Sequence, residues 1–141
     1  MSAPLYNAEI LRLAASTASF ARLPAPQATS EKRAPVCGSR IIVDVVLDGA
    51  QRIEALGIEV RACALGQASS ALMASHAIGL GSSELDAARD QLSAFLASEA
   101  DAPGTWPGLE IFTPVRPHTA RHASIRLAFE AVADAVKQAQ Q

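Results

Sequence analysis

The sequence predicts an α+β fold, a small antiparallel sheet with helices packed on one face. Three observations predict it. Ile41, Val43, Val45 and Leu47 alternate with Ile42, Asp44 and Val46 in a β-branched run that ends at Asp48-Gly49, a hairpin turn signal. Leu85, Ala88, Leu92, Phe95 and Leu96 recur at helical spacing. Ile125, Ala128, Phe129, Val132 and Val136 do the same near the C-terminus.

In chain order, Leu5 to Ser16 reads as a helix with a rough apolar stripe from Leu5, Ile10, Leu11, Leu13 and Ala14. Residues 18–36 carry three prolines and no period, which predicts a loop or an extended arm. The first strand then runs to Leu47, and a second, over about Arg52 to Ala62, returns beside it. A Ser/Ala-rich helix over about Gln67 to Ile78 ends at Gly79. Ser82 or Ser83 is the expected cap of the amphipathic helix that reaches Glu99. A Pro/Gly-rich connection with a short apolar stretch, Leu109 to Phe112, leads to a last helix over about Ala120 to Gln138. Trp106 reads as an anchor for that connection.

The chain has 141 residues, 50% of them hydrophobic and 18% charged, with a formal net charge of -2. This size suits one domain over residues 1–141 with a real core, and the composition is not that of a disordered chain. No basic cluster exceeds "EKR" at Glu31 to Arg33, so nucleic-acid binding is not expected. Glu9 precedes the first basic residue, Arg12, which does not fit a secretory leader. The weakly polar stretch from Ala62 to Gly81 contains Gln67, three serines and His76, which suits a tightly packed helix better than a bilayer span. A cytoplasmic protein is expected. No phosphate loop, nucleophile elbow or usefully spaced acid pair is present.

The chemistry therefore concentrates on two cysteines, too few for a disulfide framework or a four-thiolate site. Cys37 lies just before the first strand of the hairpin and Cys63 just after the second. A hairpin brings its outer ends together, so the two are expected to be neighbours in space. Cys63 also precedes a helix, where exposed N–H groups and the macrodipole favour a thiolate. His122, at the start of the last helix, is the nearest candidate for a further ligand, with a surface histidine as the alternative; His118 reads as a loop residue and His76 as structural. Ser39 and Ser124 read as capping or hydrogen-bonding residues, and Arg40 and Arg121 as neighbours of the pocket.

These residues resemble the U-type iron–sulfur scaffold family, the NifU N-terminal domain, IscU and SufU. "LYNAEIL" at Leu5 to Leu11 matches the family's early helix, "PVCGS" at Pro35 to Ser39 its first cysteine, and "ACALGQASSALMAS" at Ala62 to Ser75 its cysteine-led helix. "RHASIRLAFEAV" at Arg121 to Val132 is similar to the stretch that carries the third cysteine. Ser39 stands where the family has aspartate. Ser124 stands where it has the third cysteine, or Ala123 does if the alignment shifts by one. The long interval between Cys63 and Ser124 is more similar to SufU than to IscU. The resemblance implies a three-stranded sheet, SufU/IscU-like, and an iron–sulfur assembly scaffold and carrier rather than a conventional enzyme. It implies Cys37 and Cys63 as ligands of an iron–sulfur cluster or zinc, with His122 as a substitute third ligand. Implied partners are a cysteine desulfurase and apo acceptor proteins. The alternatives are a zinc-dependent sulfur acceptor of SufU type, and a metal-free interaction protein that keeps the fold.

Overall fold

A computed structural model describes residues 7–35 and 38–141. Its sheet has three antiparallel strands in the order β1-β2-β3, where β1 is Ala28–Arg33, β2 Arg40–Leu47 and β3 Ile53–Arg61. Helix α1 spans Ala8–Ala15, α2 Ala64–His76, α3 Ser82–Leu96 and α4 His122–Ala139. The expected α+β architecture is present, and α4 lies along β1 and β2.

β1 corrects the reading of residues 18–36 as a loop or an extended arm. "ATSEKR" is polar and shows no alternation, because an edge strand with one buried side chain, Ser30, gives no apolar period. Its place comes from pairing with β2, from Ala28↔Val45 to Arg33↔Arg40. The turn between them needs Gly38, whose φ of 74° is left-handed. Its N–H donates to Ala34 O at 2.9 Å.

The β2–β3 hairpin forms as predicted, with a longer turn. Asp48 Oδ1 accepts from Ala50 N and Arg52 N, and Gln51 takes the left-handed φ of 64°. Arg40 pairs with Arg61, so the outer ends of the hairpin do meet.

β2 is buried on both faces. Ile41, Val43, Val45 and Leu47 join the core beneath the helices. On the other face, Asp44 is 0% exposed. It accepts from Arg22 Nε at 2.6 Å, Leu23 N at 3.0 Å and Thr29 Oγ1 at 2.7 Å. That carboxylate fastens the proline-rich arm over the sheet, and Ile58 N donates to Phe20 O beside it.

The helices differ from expectation mainly at their ends. α2 starts earlier than predicted, with Cys63 itself as N-cap. The N-cap of α3 is Gly81, not a serine: Glu84 reaches back to accept from Gly81 N at 3.0 Å. The apolar stretch after residue 108 forms a 3-10 helix, Leu109–Val115, and buries Phe112. Trp106 anchors the connection as expected, with its indole N–H on Leu72 O at 3.0 Å and its ring edge-on to Phe129. Among the described residues, no helix is long and apolar enough to cross a membrane.

The small residues of α2 serve close approach. A Cβ on Gly66 would sit 2.5 Å from Ser124 Oγ and 2.7 Å from the Ala62 Cβ. Gly66→Val is therefore expected to destabilise the fold by about 1–3 kcal/mol, the range for overpacking. A thermal-denaturation midpoint unchanged from wild type would show that the helices yield freely at this point.

Candidate functional site

Cys63 stands where β3 gives way to α2. Its backbone is extended, at φ -64 and ψ 171, and the helix begins with the next residue. Two elements distant in sequence meet it there. Ser124, on the first turn of α4, places its hydroxyl 3.3 Å from Cys63 Sγ. Ser39, just before β2, donates to Ser124 Oγ at 3.4 Å. Both serines are buried, Ser39 4% and Ser124 3% exposed, while Cys63 is half-buried. Ser69 fixes the α2–α4 contact nearby by donating to Ile125 O at 2.6 Å.

Ser39, Cys63 and Ser124 line a cavity of about 200 Å³ together with Gly38, Arg61, Ala62, Ala120 and Arg121. Burial acts to raise the Cys63 thiol pKa. The Ser124 hydroxyl, the N–H groups of Gly66 and Leu65 and the charge of Arg121 outweigh it and hold the thiol below its ordinary value. An accessible thiolate with hydrogen-bond donors behind it can ligate a soft metal or attack sulfur.

The predicted site residues divide three ways. Cys63, Arg121 and Ser124 are in the cavity wall. Cys37 lies outside the described residues, although its neighbours Gly38 and Ser39 line the cavity. Arg40 is instead engaged by Glu31 and Glu59, at 3.1 and 3.4 Å, because strand pairing sets it between acidic neighbours on β1 and β3. Arg61 was missed; its position two residues before Cys63 at the end of β3 was the available signal.

The structure does not place His122 in the cavity wall. Its ring is 6% exposed, and Nε2 lies 3.1 Å from Val115 O and 3.0 Å from Arg116 O. A nitrogen that donates to carbonyls has no lone pair for a metal. On α4, His122 and Ser124 are two positions apart and so do not share a face. His122 ties the 3-10 segment to the start of α4. His122→Ala is expected to lower stability by about 1–3 kcal/mol, the cost of leaving buried carbonyls unpaired, with iron retention unchanged. A tenfold loss of retained iron without loss of stability would restore it as a ligand.

His118 is exposed on its loop. His76 stands at the far end of α2, edge-on to Trp106. A larger cavity of about 400 Å³, lined by His76, Glu84 and Trp106, opens there and contains no thiol. Among the described residues, no group of three or more His, Cys, Asp or Glu could hold a metal ion.

No family model matches the chain, and no curated protein matches it. Solved structures do. A nitrogen-fixing NifU-like protein (N-terminal) from Brucella abortus is 38% identical, with a TM-score of 0.89 over 96% of this chain and 94% of that one. A candidate iron–sulfur cluster assembly scaffold protein for the SUF system, from thermophilic Fervidobacterium islandicum AW-1, shares the fold at 17% identity. Its TM-score is 0.85, over 94% of this chain and 96% of that one. A hypothetical protein also shares the fold, at 23% identity and a TM-score of 0.78 over 94% and 99% of the two chains.

Proposed function

The chain belongs to the NifU-like, U-type iron–sulfur scaffold family, and on that premise we propose that it is an assembly scaffold carrying iron–sulfur cargo at the Cys63 cavity, with Cys37 as the second thiolate. The observation that carries this reading is Cys63 itself. It is a half-buried thiol at a helix N-terminus, opening onto a cavity, with a buried hydroxyl at 3.3 Å and its pKa held below the ordinary value. Iron and zinc both favour deprotonated sulfur, so the cavity suits either metal better than a neutral thiol would. Arg61 and Arg121 bring positive charge to a site whose cargo is anionic when held by thiolates. A cysteine desulfurase would supply sulfur, and apo iron–sulfur proteins would receive the product.

A second reading, sulfur acceptance of the zinc-dependent SufU type, is supported by the half-buried Cys63 thiol, which opens onto the cavity beside the Ser124 hydroxyl and is held below its ordinary pKa. There the Cys63 thiolate attacks the outer sulfur of a donor persulfide. The S–S bond of the donor breaks, its cysteine leaves as a thiolate, and Cys63 becomes the persulfide with no net oxidation.

Iron, zinc and acid-labile sulfide in protein purified anaerobically under reducing conditions test both. Retained iron with sulfide supports the scaffold. Zinc alone, with a mass gain of one sulfur atom on Cys63 after exposure to a desulfurase and cysteine, supports acceptance. The absence of both overturns both readings in favour of the metal-free interaction protein.

A further inference from the structure

Register in the sheet sets three arginines side by side. Arg33 on β1 pairs with Arg40 on β2, and Arg40 pairs with Arg61 on β3. Directly paired residues share a face, and alternation along β2 puts Arg40 on the side of Asp44, away from the helices. Like charges opposite one another destabilise a sheet, so this row calls for anions. The chain supplies Glu31, 2.8 Å from Arg33 and 3.1 Å from Arg40, and Glu59, 3.4 Å from Arg40 and 3.9 Å from Arg22. No carboxylate among the described residues pairs with Arg61. Arg61 also lines the Cys63 cavity, together with Arg121 from the turn before α4. Besides the Arg22–Asp44 pair, four arginines therefore meet two glutamates at this end of a chain whose formal net charge is -2. The row is open: the Arg33 side chain is 69% exposed, that of Arg40 26%, and Arg61 is exposed.

We propose that this row is a docking surface for an acidic helix of a partner protein, laid across the strands beside the Cys63 cavity. Spacing favours a helix. Paired residues on neighbouring strands lie about 4.5–5.5 Å apart, so three of them span about 10 Å. Carboxylates at i, i+4 and i+7 of a helix stand about 5–6 Å apart on one face and span about 10.5 Å. Alternate residues of an extended chain are about 6.6–6.8 Å apart and fall out of step with the row. Charge favours a protein. Guanidinium forks take carboxylates two bonds at a time. Glu31 and Glu59 stand beside the row and repel the continuous charge of a nucleic-acid backbone, whereas three separate carboxylates can face the arginines alone. The pairs that Glu31 and Glu59 make are exposed and weak, so an incoming carboxylate can share their arginines. Docking there sets the partner's surface beside Cys63. The inference goes beyond the cargo reading and does not depend on it, because neither metal nor sulfur takes part.

The test is an NMR titration of the full, metal-free, isotope-labelled chain with blocked alanine-based helical peptides. One carries glutamates at i, i+4 and i+7, and a second carries them at i, i+2 and i+5, spread round the helix. A short DNA duplex is the third probe. The first peptide is expected to shift the resonances of Arg33, Arg40 and Arg61 saturably and to bind at least about fivefold more tightly than the second. Arg33→Gln and Arg61→Gln, with folding checked by circular dichroism, are each expected to weaken it by about two- to fivefold, the order for one exposed ion pair. Arg89→Gln on α3 should leave it unchanged. Binding should fall as ionic strength rises from about 0.01 to 0.15 M, where the Debye length drops from about 30 to 8 Å. Equal binding of the two peptides, shifts that miss the row, or tighter binding of the duplex overturns the inference. None of these outcomes bears on the cargo reading, which is decided by metal and sulfide analysis.

Discussion

Replacing Cys63 with serine is expected to abolish retention of iron and sulfide, with affinity falling about a hundredfold or more. The loss of a ligand should exceed the 10–100-fold cost of disturbing a residue behind one. Serine nearly preserves the volume at the N-cap, and a hydroxyl caps a helix at least as well as a thiol. The change should therefore spare the fold while removing the chemistry. Cys63 Sγ now meets Ser124 Oγ at 3.3 Å, and Ser39 adds a second hydroxyl. In the variant all three are hydroxyls, and the cavity keeps no soft donor from α2 or α4. The same variant should fail to gain sulfur from a persulfide donor. Iron content is measured after anaerobic reconstitution, with thermal denaturation as the control for folding. Full iron retention in a folded Cys63→Ser protein would place the cargo elsewhere on the chain.

Asp44→Ala should produce the largest loss of stability, about 2–4 kcal/mol. Asp44 accepts from Arg22, Leu23 and Thr29 while fully buried, so its removal strands several donors at once. The Arg22 side chain is 41% exposed and can regain water, which keeps the figure below that for a fully buried pair. Burial tends to raise the Asp44 carboxyl pKa, but hydrogen bonds from Arg22, Thr29 and Leu23 and the charge of Arg22 win and lower it. The sign follows from linkage. A carboxyl depressed on folding stabilises the protein above its unfolded pKa of about 3.9, and that contribution is lost as pH falls through the folded value. Wild type should lose stability in acid more steeply than Asp44→Asn, which has no proton to take up at this position. Urea midpoints from pH 7 down to pH 3 measure this, and parallel curves for the two proteins would show that the carboxylate is not the source.

Much of this protein was legible in its sequence because the signals were local. β-branched alternation before Asp48-Gly49 determined the hairpin, and helical periodicity determined α3 and α4. A hairpin returns the chain to its start, so the meeting of its outer ends followed from the turn alone, and Arg40↔Arg61 pairing shows it; Cys37, expected there beside Cys63, lies outside the described residues. The helix following Cys63 pointed to part of what lowers its thiol pKa, the N–H groups of Gly66 and Leu65, while the larger contribution comes from Ser124 on α4.

Tertiary structure decided what depends on partners distant in the chain. β1 is polar and exists because β2 offers it a ladder, so no period in "ATSEKR" announced it. Asp44 read as one more alternating residue of a strand, and only the arm carrying Arg22 makes it a buried anchor. The choice between His122 and Ser124 turned on the rotation of α4. Gly66 lets that helix approach until Ser124 touches Cys63, and the same rotation turns the His122 ring to the carbonyls of residues 115 and 116. Residues two apart on a helix differ by about 200° in direction, so a site that needs one of them cannot use the other, and only the docked helix selects between them.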